Sequence, residues 1–400
     1  MFALKRISTA ISRLPFKPYY TIPIFGTVGV SYLPTMGFYT GFSQTKLENT
    51  QKLILKAVQT DFQKRGLDVE FTVEKMKLPE CGHSLNVIKC VKGKTDQNTP
   101  DSAISASGDC ETQKLQDSKK PFVIMHGYGA GGAMFANNLA GLAHSLNRPV
   151  YAVDWIGFGV SDRPKFKETS PSKTLDFFLK PFEEWRKLMK FEKFDLMGHS
   201  LGGFLVGHYC ANYSGEKYVD NLILASPAGV PHKPPPNPER ETPFVFKVFR
   251  KLWAWGFTPG GVIRGVGSWT GKSLVEKAVS RRFVHGKGLG LYGDVENLAV
   301  DYMHQMFTAP GSGEYAFYKL FAPGVFALEP LIDEMPKLRT TNVLFLYGTQ
   351  DWMSISSAEE CLKTMSGDIR KSADTVEGTH HLYLDSPDIF DEKVKDFLCK

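Results

Sequence analysis

The chain has 400 residues, is 42% hydrophobic and 22% charged, and carries 48 Lys and Arg against 42 Asp and Glu, a net charge of +6. That apolar content can bury a large core and fits one domain with a sizeable insertion. Six cysteines, at 81, 90, 110, 210, 361 and 399, lack paired metal-ligand spacing, which argues against a disulfide framework or a zinc site and suits a reducing or mitochondrial interior.

The first acidic residue is Glu48. Before it, Lys5, Arg6, Arg13, Lys17 and Lys46 accompany Phe2, Leu4, Ile7, Ile11 and Leu14, an acid-free amphipathic start of the kind found in mitochondrial presequences; an arbitrary basic tail is the plain alternative. Residues 18–45 are uncharged, but Pro23 and Pro34 interrupt their apolar content. A spanning helix needs a more continuous run, so loose membrane contact through Tyr19, Tyr20, Tyr32 and Tyr39 is expected instead. Residues 1–45 are therefore read as a targeting or membrane-contact segment. The localisation this predicts is mitochondrial, peripheral on the inner membrane, with a cytoplasmic chain on endoplasmic reticulum or lipid droplets as the alternative.

A helix is predicted over Lys46–Arg65, followed by strands at Leu67–Leu78 and Ser84–Val91. Lys92–Lys120 is rich in Ser, Asp, Gln, Thr and Lys and is expected to be a disordered surface loop. A short apolar strand, Phe122–Met125, then runs into His126-Gly127-Tyr128-Gly129-Ala130-Gly131-Gly132. Such a loop can present backbone N–H groups. A P-loop phosphate cradle would need Lys-Ser or Lys-Thr after the glycines, and none is present.

Phe135, Leu139, Leu142 and Leu146 recur at helical spacing before a strand at Val150–Val153. This alternation of strand and helix predicts a mostly parallel sheet with helices on both faces. The loop Asp154–Ser161 reads as a structural turn.

After the apolar stretch Phe194–Met197 comes Gly198-His199-Ser200-Leu201-Gly202-Gly203. Glycines two residues either side of a serine fit a nucleophile elbow, where a strand turns sharply into a helix and exposes the hydroxyl. The pentapeptide is a common one, so its weight depends on its partners. A serine needs a histidine to take its proton and a carboxylate to orient that histidine.

A strand at Asn221–Ala225 precedes Ser226–Pro238, which contains no Asp or Glu. From Pro231 to Lys337 the alternation is interrupted by an insertion with a proline-rich start. Residues 231–290 hold eleven Lys and Arg against three Glu, interleaved with Phe244, Phe246, Phe249, Leu252, Trp253, Trp255 and Phe257. Basic groups beside large aromatics suit docking on an anionic lipid surface. The same residues also read as a small core with a solvated face. Nothing accompanying them has the signature of a recognition helix or a stacking sheet, so no nucleic-acid partner is expected.

The next strand, Asn342–Tyr347, ends at Gly348, and Asp351 lies in the turn beyond it, where the orienting acid belongs. A strand near Asp374–Val376 leads to Gly378-Thr379-His380-His381, and Ser386-Pro387 starts the last helix. His380 is the predicted base, with His381 as the substitute, and the order Ser, Asp, His is that of the nucleophile-elbow enzymes. The amides of Tyr128 and Leu201 are the predicted oxyanion hole.

Together these motifs resemble the alpha/beta-hydrolase superfamily. A closer resemblance is to the subfamily of alpha/beta-hydrolase-domain proteins four and five, their plant relatives and the fungal mitochondrial cardiolipin-specific deacylase. His380-His381-Leu382-Tyr383-Leu384-Asp385 carries it, from about Lys46 onward. The resemblance implies a core of residues 46–230 and 338–400, with residues 231–337 as an inserted helical cap. It also implies a serine ester hydrolase of phospholipase or lysophospholipase type, acting on phospholipids that include N-acylated and cardiolipin-type lipids. Acyl transfer through His380 and Asp385 is claimed for some members. One branch replaces the serine with asparagine and acts as a lipase-binding scaffold, whereas this chain has Ser200. No metal or organic cofactor is required by this chemistry, and no protein partner is indicated. Asp385 has a simpler explanation as a charge near the N-terminus of the last helix.

Overall fold

The computed structural model describes residues 41–93, 119–235, 256–283 and 294–400. The N-terminal segment as far as residue 40, most of the polar loop before Phe122, and the aromatics from Phe244 to Trp255 lie outside the described residues.

Eight strands form one sheet: β1 (Val69–Lys77), β2 (Ser84–Lys92), β3 (Phe122–Met125), β4 (Val150–Val153), β5 (Phe194–His199), β6 (Val219–Ala225), β7 (Asn342–Gly348) and β8 (Lys371–Val376). Their spatial order is β1-β2-β4-β3-β5-β6-β7-β8. The first two strands pair antiparallel, β2 is antiparallel to β4, and all strands from β3 to β8 run parallel. The last strand begins three residues earlier than its apolar signal, because Lys371–Ala373 are exposed or half-buried and carry no hydrophobic pattern.

Side chains alternate between two hydrophobic clusters, one on each face of the sheet. Phe122, Ile124, Val150, Ala152, Met197, Ile223, Leu344 and Leu346 point to one cluster, and Val123, Met125, Tyr151, Val153, Leu196, Leu222, Leu224, Val343 and Phe345 to the other. This period of two is what a sheet covered on both faces imposes.

Helix α1 (Gln44–Lys64) starts at Ser43, whose hydroxyl accepts from the Lys46 amide, and buries Leu47, Ile54, Val58 and Phe62 at helical spacing. Helix α2 (Ala136–Leu146) follows a turn of 3-10 helix over Gly132–Phe135, so Phe135 precedes the helix as its cap. The Gly132 amide is held by Asp154 at 2.6 Å, which keeps that first turn out of the α-helical ladder. Helix α3 (Pro171–Leu188) has Ser170 as N-cap and packs Phe178, Phe182 and Trp185 on the second face. Helix α4 (Leu201–Asn212) is buried at every position from Leu201 to Cys210. A helix that is apolar all round belongs in the middle of the protein.

Between β6 and β7 the chain adds α5 (Pro259–Gly265), α6 (Ser268–Phe283) and α7 (Asp294–Thr308). Thr258 caps α5 through the Gly261 amide at 2.8 Å and donates its hydroxyl to Glu314 at 2.8 Å. Arg264 pairs with the same carboxylate and donates to the carbonyls of Phe307 and Ala309. Near the end of α7, Gln305 accepts from the Ser43 amide at 2.7 Å, tying the insertion to the start of α1. Its neighbour Phe307 lies against Gly129. After β7 come α8 (Ile355–Thr364) and, after β8, α9 (Pro387–Leu398). Pro387 occupies the first turn of α9 as expected, but the Ser386 side chain makes no capping bond. No helix among the described residues is long and apolar enough to cross a membrane.

The loop after β4 is a structural turn built on Asp154. Its carboxylate is fully buried and accepts from the amides of Gly132 and Val160 and from Asn86 Nδ2, at 2.6–2.9 Å. Asn86 in turn exchanges hydrogen bonds with Gln51 of α1. Replacing Asp154 with Ala leaves three buried donors without an acceptor, each worth about 1–3 kcal/mol. We therefore expect Asp154→Ala to lose roughly 3–5 kcal/mol of stability, read as a lowered urea midpoint.

Candidate active site

Three loops at the C-terminal ends of β5, β7 and β8 meet in one place. Ser200 follows β5 with φ 54° and ψ −117°, a conformation that L residues avoid. It is held there because its amide donates to the Ala225 carbonyl and its own carbonyl accepts from the amides of Phe204 and Ala228, each at 3.0 Å. The elbow has no room for side chains at its flanks. A Cβ on Gly198 would sit 2.5 Å from the Gly202 carbonyl oxygen, and one on Gly202 would sit 2.5 Å from the His126 carbonyl oxygen.

Ser200 Oγ lies 3.0 Å from His380 Nε2. The other ring nitrogen, His380 Nδ1, lies 3.1 and 3.3 Å from the two carboxylate oxygens of Asp351. Since a carboxylate only accepts, Nδ1 carries the proton and Nε2 is free to take one from Ser200. The Asp351 carboxylate is fully buried, and its Oδ1 also accepts from the Met353 amide at 3.0 Å. Burial pushes this carboxyl up, but the hydrogen bond and charge of His380, with help from the Met353 amide, outweigh burial and hold it below its ordinary value.

The turn that carries Asp351 is pinned to the loop that carries His380. Gln350 donates its amide to the Gly378 carbonyl at 2.8 Å, and Thr349 donates to Val376 at 2.9 Å. It is His380 that meets Ser200, and the ring of His381 packs edge-on against the His380 ring at 5.5 Å and against Tyr383 at 6.1 Å. The exposed indole of Trp352 borders the His380 ring at 5.3 Å.

Leu201 is the first residue of α4, and the amides of a helix's first turn have no acceptor within the helix. Tyr128 follows Gly127, whose Cβ, if it had one, would lie 3.0 Å from Ser200 Cβ. The Tyr128 ring packs between Phe158 and Phe317. Beneath this loop His126 is buried. Its Nε2 accepts from the Trp155 amide at 3.1 Å, and burial lowers its pKa, so the ring is neutral and structural.

Asp385 does not join the Ser200 and His380 side chains. It stands one residue before Ser386, the residue that precedes the last helix, as its position suggested. Its buried carboxylate accepts from both the amide and the hydroxyl of Thr379, at 2.7 and 2.6 Å, because the turn Leu382–Asp385 folds back over Gly378 and Thr379. Sequence reasoning also passed over His199, whose Nε2 donates to the His380 carbonyl at 2.8 Å. Its place beside the serine was the only available signal.

A cavity of about 660 Å³ lies at the other end of the sheet, lined by Lys89, Lys120, Tyr151, Phe191 and Lys193. Pro121, Pro149 and Lys193 in its wall precede β3, β4 and β5, so it faces the N-terminal ends of strands whose C-terminal ends hold Ser200.

Residues 120–386 match the family described as alpha/beta hydrolase fold. The chain belongs to that family. Its relatives place the hydrolase among the ABHD4/5-like proteins. It is 34% identical over 281 residues to a 1-acylglycerol-3-phosphate O-acyltransferase of Arabidopsis thaliana, covering 69% of this chain and 66% of the plant protein. The hydrolase thus spans about two thirds of that relative's length. It is 30% identical to 1-acylglycerol-3-phosphate O-acyltransferase ABHD5 of Rattus norvegicus, covering 70% of this chain and 77% of that one. It is 29% identical to a (lyso)-N-acylphosphatidylethanolamine lipase of Homo sapiens, covering 70% and 80%. Among solved structures, a 2-hydroxy-6-oxo-6-phenylhexa-2,4-dienoate hydrolase from Rhodococcus superposes with a TM-score of 0.57 at 15% identity, over 83% of this chain and all of that one. At that identity the likeness shows the fold alone.

Asp351 gains stability in the folded hydrolase by being ionised. With its folded pKa lowered, that stabilisation is full above the ordinary carboxylate value of about 3.9 and is lost as pH falls through the folded value. The stability gap between wild type and Asp351→Asn is therefore expected to be full at neutral pH and to close only in strong acid, which urea unfolding from pH 7 down to about pH 2 will measure. His380→Ala should lose on the order of 10⁴-fold or more in esterase kcat. His381→Ala should stay within a few-fold of wild type.

Proposed function

We propose that this chain is a serine acyl hydrolase that removes a fatty acyl chain from a phospholipid or lysophospholipid, with anionic lipids such as cardiolipin among its candidates. The observation that carries the reading is the contact of Ser200 Oγ with His380 Nε2 at 3.0 Å, on a ring whose Nδ1 faces buried Asp351. The lipid comes from the relatives, whose names are those of glycerolipid acyltransferases and of a phospholipid lipase.

In this reading Ser200 Oγ gives its proton to His380 Nε2 as it bonds to the ester carbon. The oxyanion is received by the amides of Tyr128 and Leu201; one such donor is worth roughly 10²–10³ in rate. His380 then protonates the departing glycerol oxygen and the lysolipid leaves. Water gives a proton to His380 as it attacks the acyl-serine, and His380 passes that proton to Ser200 Oγ as the fatty acid leaves, which restores both groups. A lysophospholipid hydroxyl in place of water gives acyl transfer instead, the second reading, which the names of the plant and rat relatives favour. A purely lipase-binding scaffold has no use for Ser200 held in this geometry.

The insertion supplies a face for the lipid surface. Phe257, Val262, Val266, Trp269 and Leu274 are all exposed, Trp269 by 87%, and the same stretch carries exposed Lys277 and exposed Lys272, the latter paired with Asp301 at 2.8 Å. Large apolar groups beside cations suit an anionic membrane. The acid-free start of the chain supports a mitochondrial one.

Liposomes of phosphatidylcholine with and without cardiolipin, analysed by mass spectrometry, test both parts. Wild type should release fatty acid and Ser200→Ala should not; equal lipid turnover by the two would sink the enzymatic reading. Added lysophosphatidic acid should become acylated only if transfer competes with water. Trp269→Ser should float less well with cardiolipin-containing vesicles, and flotation indifferent to lipid charge would count against the docking face.

A further inference from the structure

His380 has a histidine for a neighbour, and a shift of one residue in the loop would exchange the two rings. Two grips hold the backbone on either side. On the N-terminal side, Asp385 Oδ2 accepts from both the amide and the hydroxyl of Thr379. Asp385 is 6% exposed and lies under the Gly378 turn, where a Cβ on Gly378 would come within 2.8 Å of Asp385 Cβ. On the C-terminal side, the carbonyl of His380 accepts from His199 Nε2 at 2.8 Å. A carbonyl cannot donate, so the proton is on His199 Nε2. His199 is 2% exposed and immediately precedes Ser200, so this bond runs from the strand of the nucleophile to the peptide of the base.

We propose that His199 and Asp385 are positioning residues that clamp the Thr379–His380 backbone so that the ring of His380, and not that of His381, meets Ser200 Oγ. The inference rests on the Ser200–His380–Asp351 reading above. It gives Asp385 a role different from the acyl transfer through His380 and Asp385 that is claimed for some members of the subfamily. An aspartate serving an acceptor hydroxyl would matter for transfer alone. A clamp matters for the first chemical step, whichever acceptor follows, because that step needs the base in line with the serine.

The test reads this first step directly, as the rate at which a fluorophosphonate probe modifies Ser200, together with kcat and KM for p-nitrophenyl butyrate. Asp385→Ala and His199→Leu should each slow labelling by about 10- to 100-fold, the scale on which a misplaced catalytic group costs rate. The loss should fall on kcat, with KM within about twofold. Asp385→Asn keeps an acceptor for Thr379, and His199→Gln keeps a donor for the His380 carbonyl, so each should recover most of the rate. Thr379→Val, which deletes one donor and keeps the amide, should give a smaller loss of a few-fold and serves if Asp385→Ala does not fold. Labelling of Asp385→Ala and His199→Leu at the wild-type rate overturns the clamp while the triad stands. Conservative variants as slow as the truncations also overturn it, since shape and not hydrogen bonding would then be at work. A wild type that the probe does not modify overturns the triad and the clamp together.

Discussion

The structure is organised around one unfavourable backbone conformation. Ser200 sits at positive φ between a strand and a helix, which costs of the order of 1–3 kcal/mol and persists only where the surroundings over-determine it. Here they do. Its amide and carbonyl are both occupied, and Gly198, Gly202 and the His126 carbonyl are packed too closely for any other residue type. The strain turns the hydroxyl away from the sheet and leaves the start of α4 directly behind it, so that nucleophile and helix N-terminus face the same point. A relaxed turn at this position would put the serine into the helix and the site would not exist.

Everything else at the site is arranged to meet that hydroxyl. Parallel strands deliver their loops to one end of the sheet, which is how residues 200, 351 and 380 come within hydrogen-bond reach. The buried carboxylate of Asp154 braces the glycine loop from below, through the Gly132 amide and through Asn86 and Gln51 to α1. From above, α7 presses Phe307 against Gly129 while Gln305 ties the helix to the start of α1. The Arg264–Glu314 pair, capped by Thr258, locks α5 to the segment after α7. Breaking one partner of such a buried pair costs far more than the pair contributes, so it specifies the arrangement more than it stabilises it.

The readable parts of this protein are those with a local cause. Strands β3 and β4 are legible to the residue because four apolar side chains in a row, ended by Gly-rich or Asp-Trp turns, leave few alternatives. The 3-10 turn before α2 was not legible, since it comes from Asp154 pulling on Gly132 across 22 residues of chain. The start of β8 was hidden by Lys371 and Ser372, which form a strand by pairing with β7 and not through any pattern of their own. Asp385 looked like a helix-end charge because its partner, Thr379, is reached only when the chain folds back after His381.

The sequence by itself determined the elbow, the order Ser, Asp, His along the chain, and the strands whose ends carry them, because these follow from steric demands and periodicities within a few residues. Only the tertiary structure decided which of two adjacent histidines meets the serine, what His199 and Asp385 hold, and how the insertion braces the glycine loop. Those outcomes depend on contacts such as His199 to His380, 181 residues apart. Such contacts are fixed by the packing of whole elements, which no local pattern encodes.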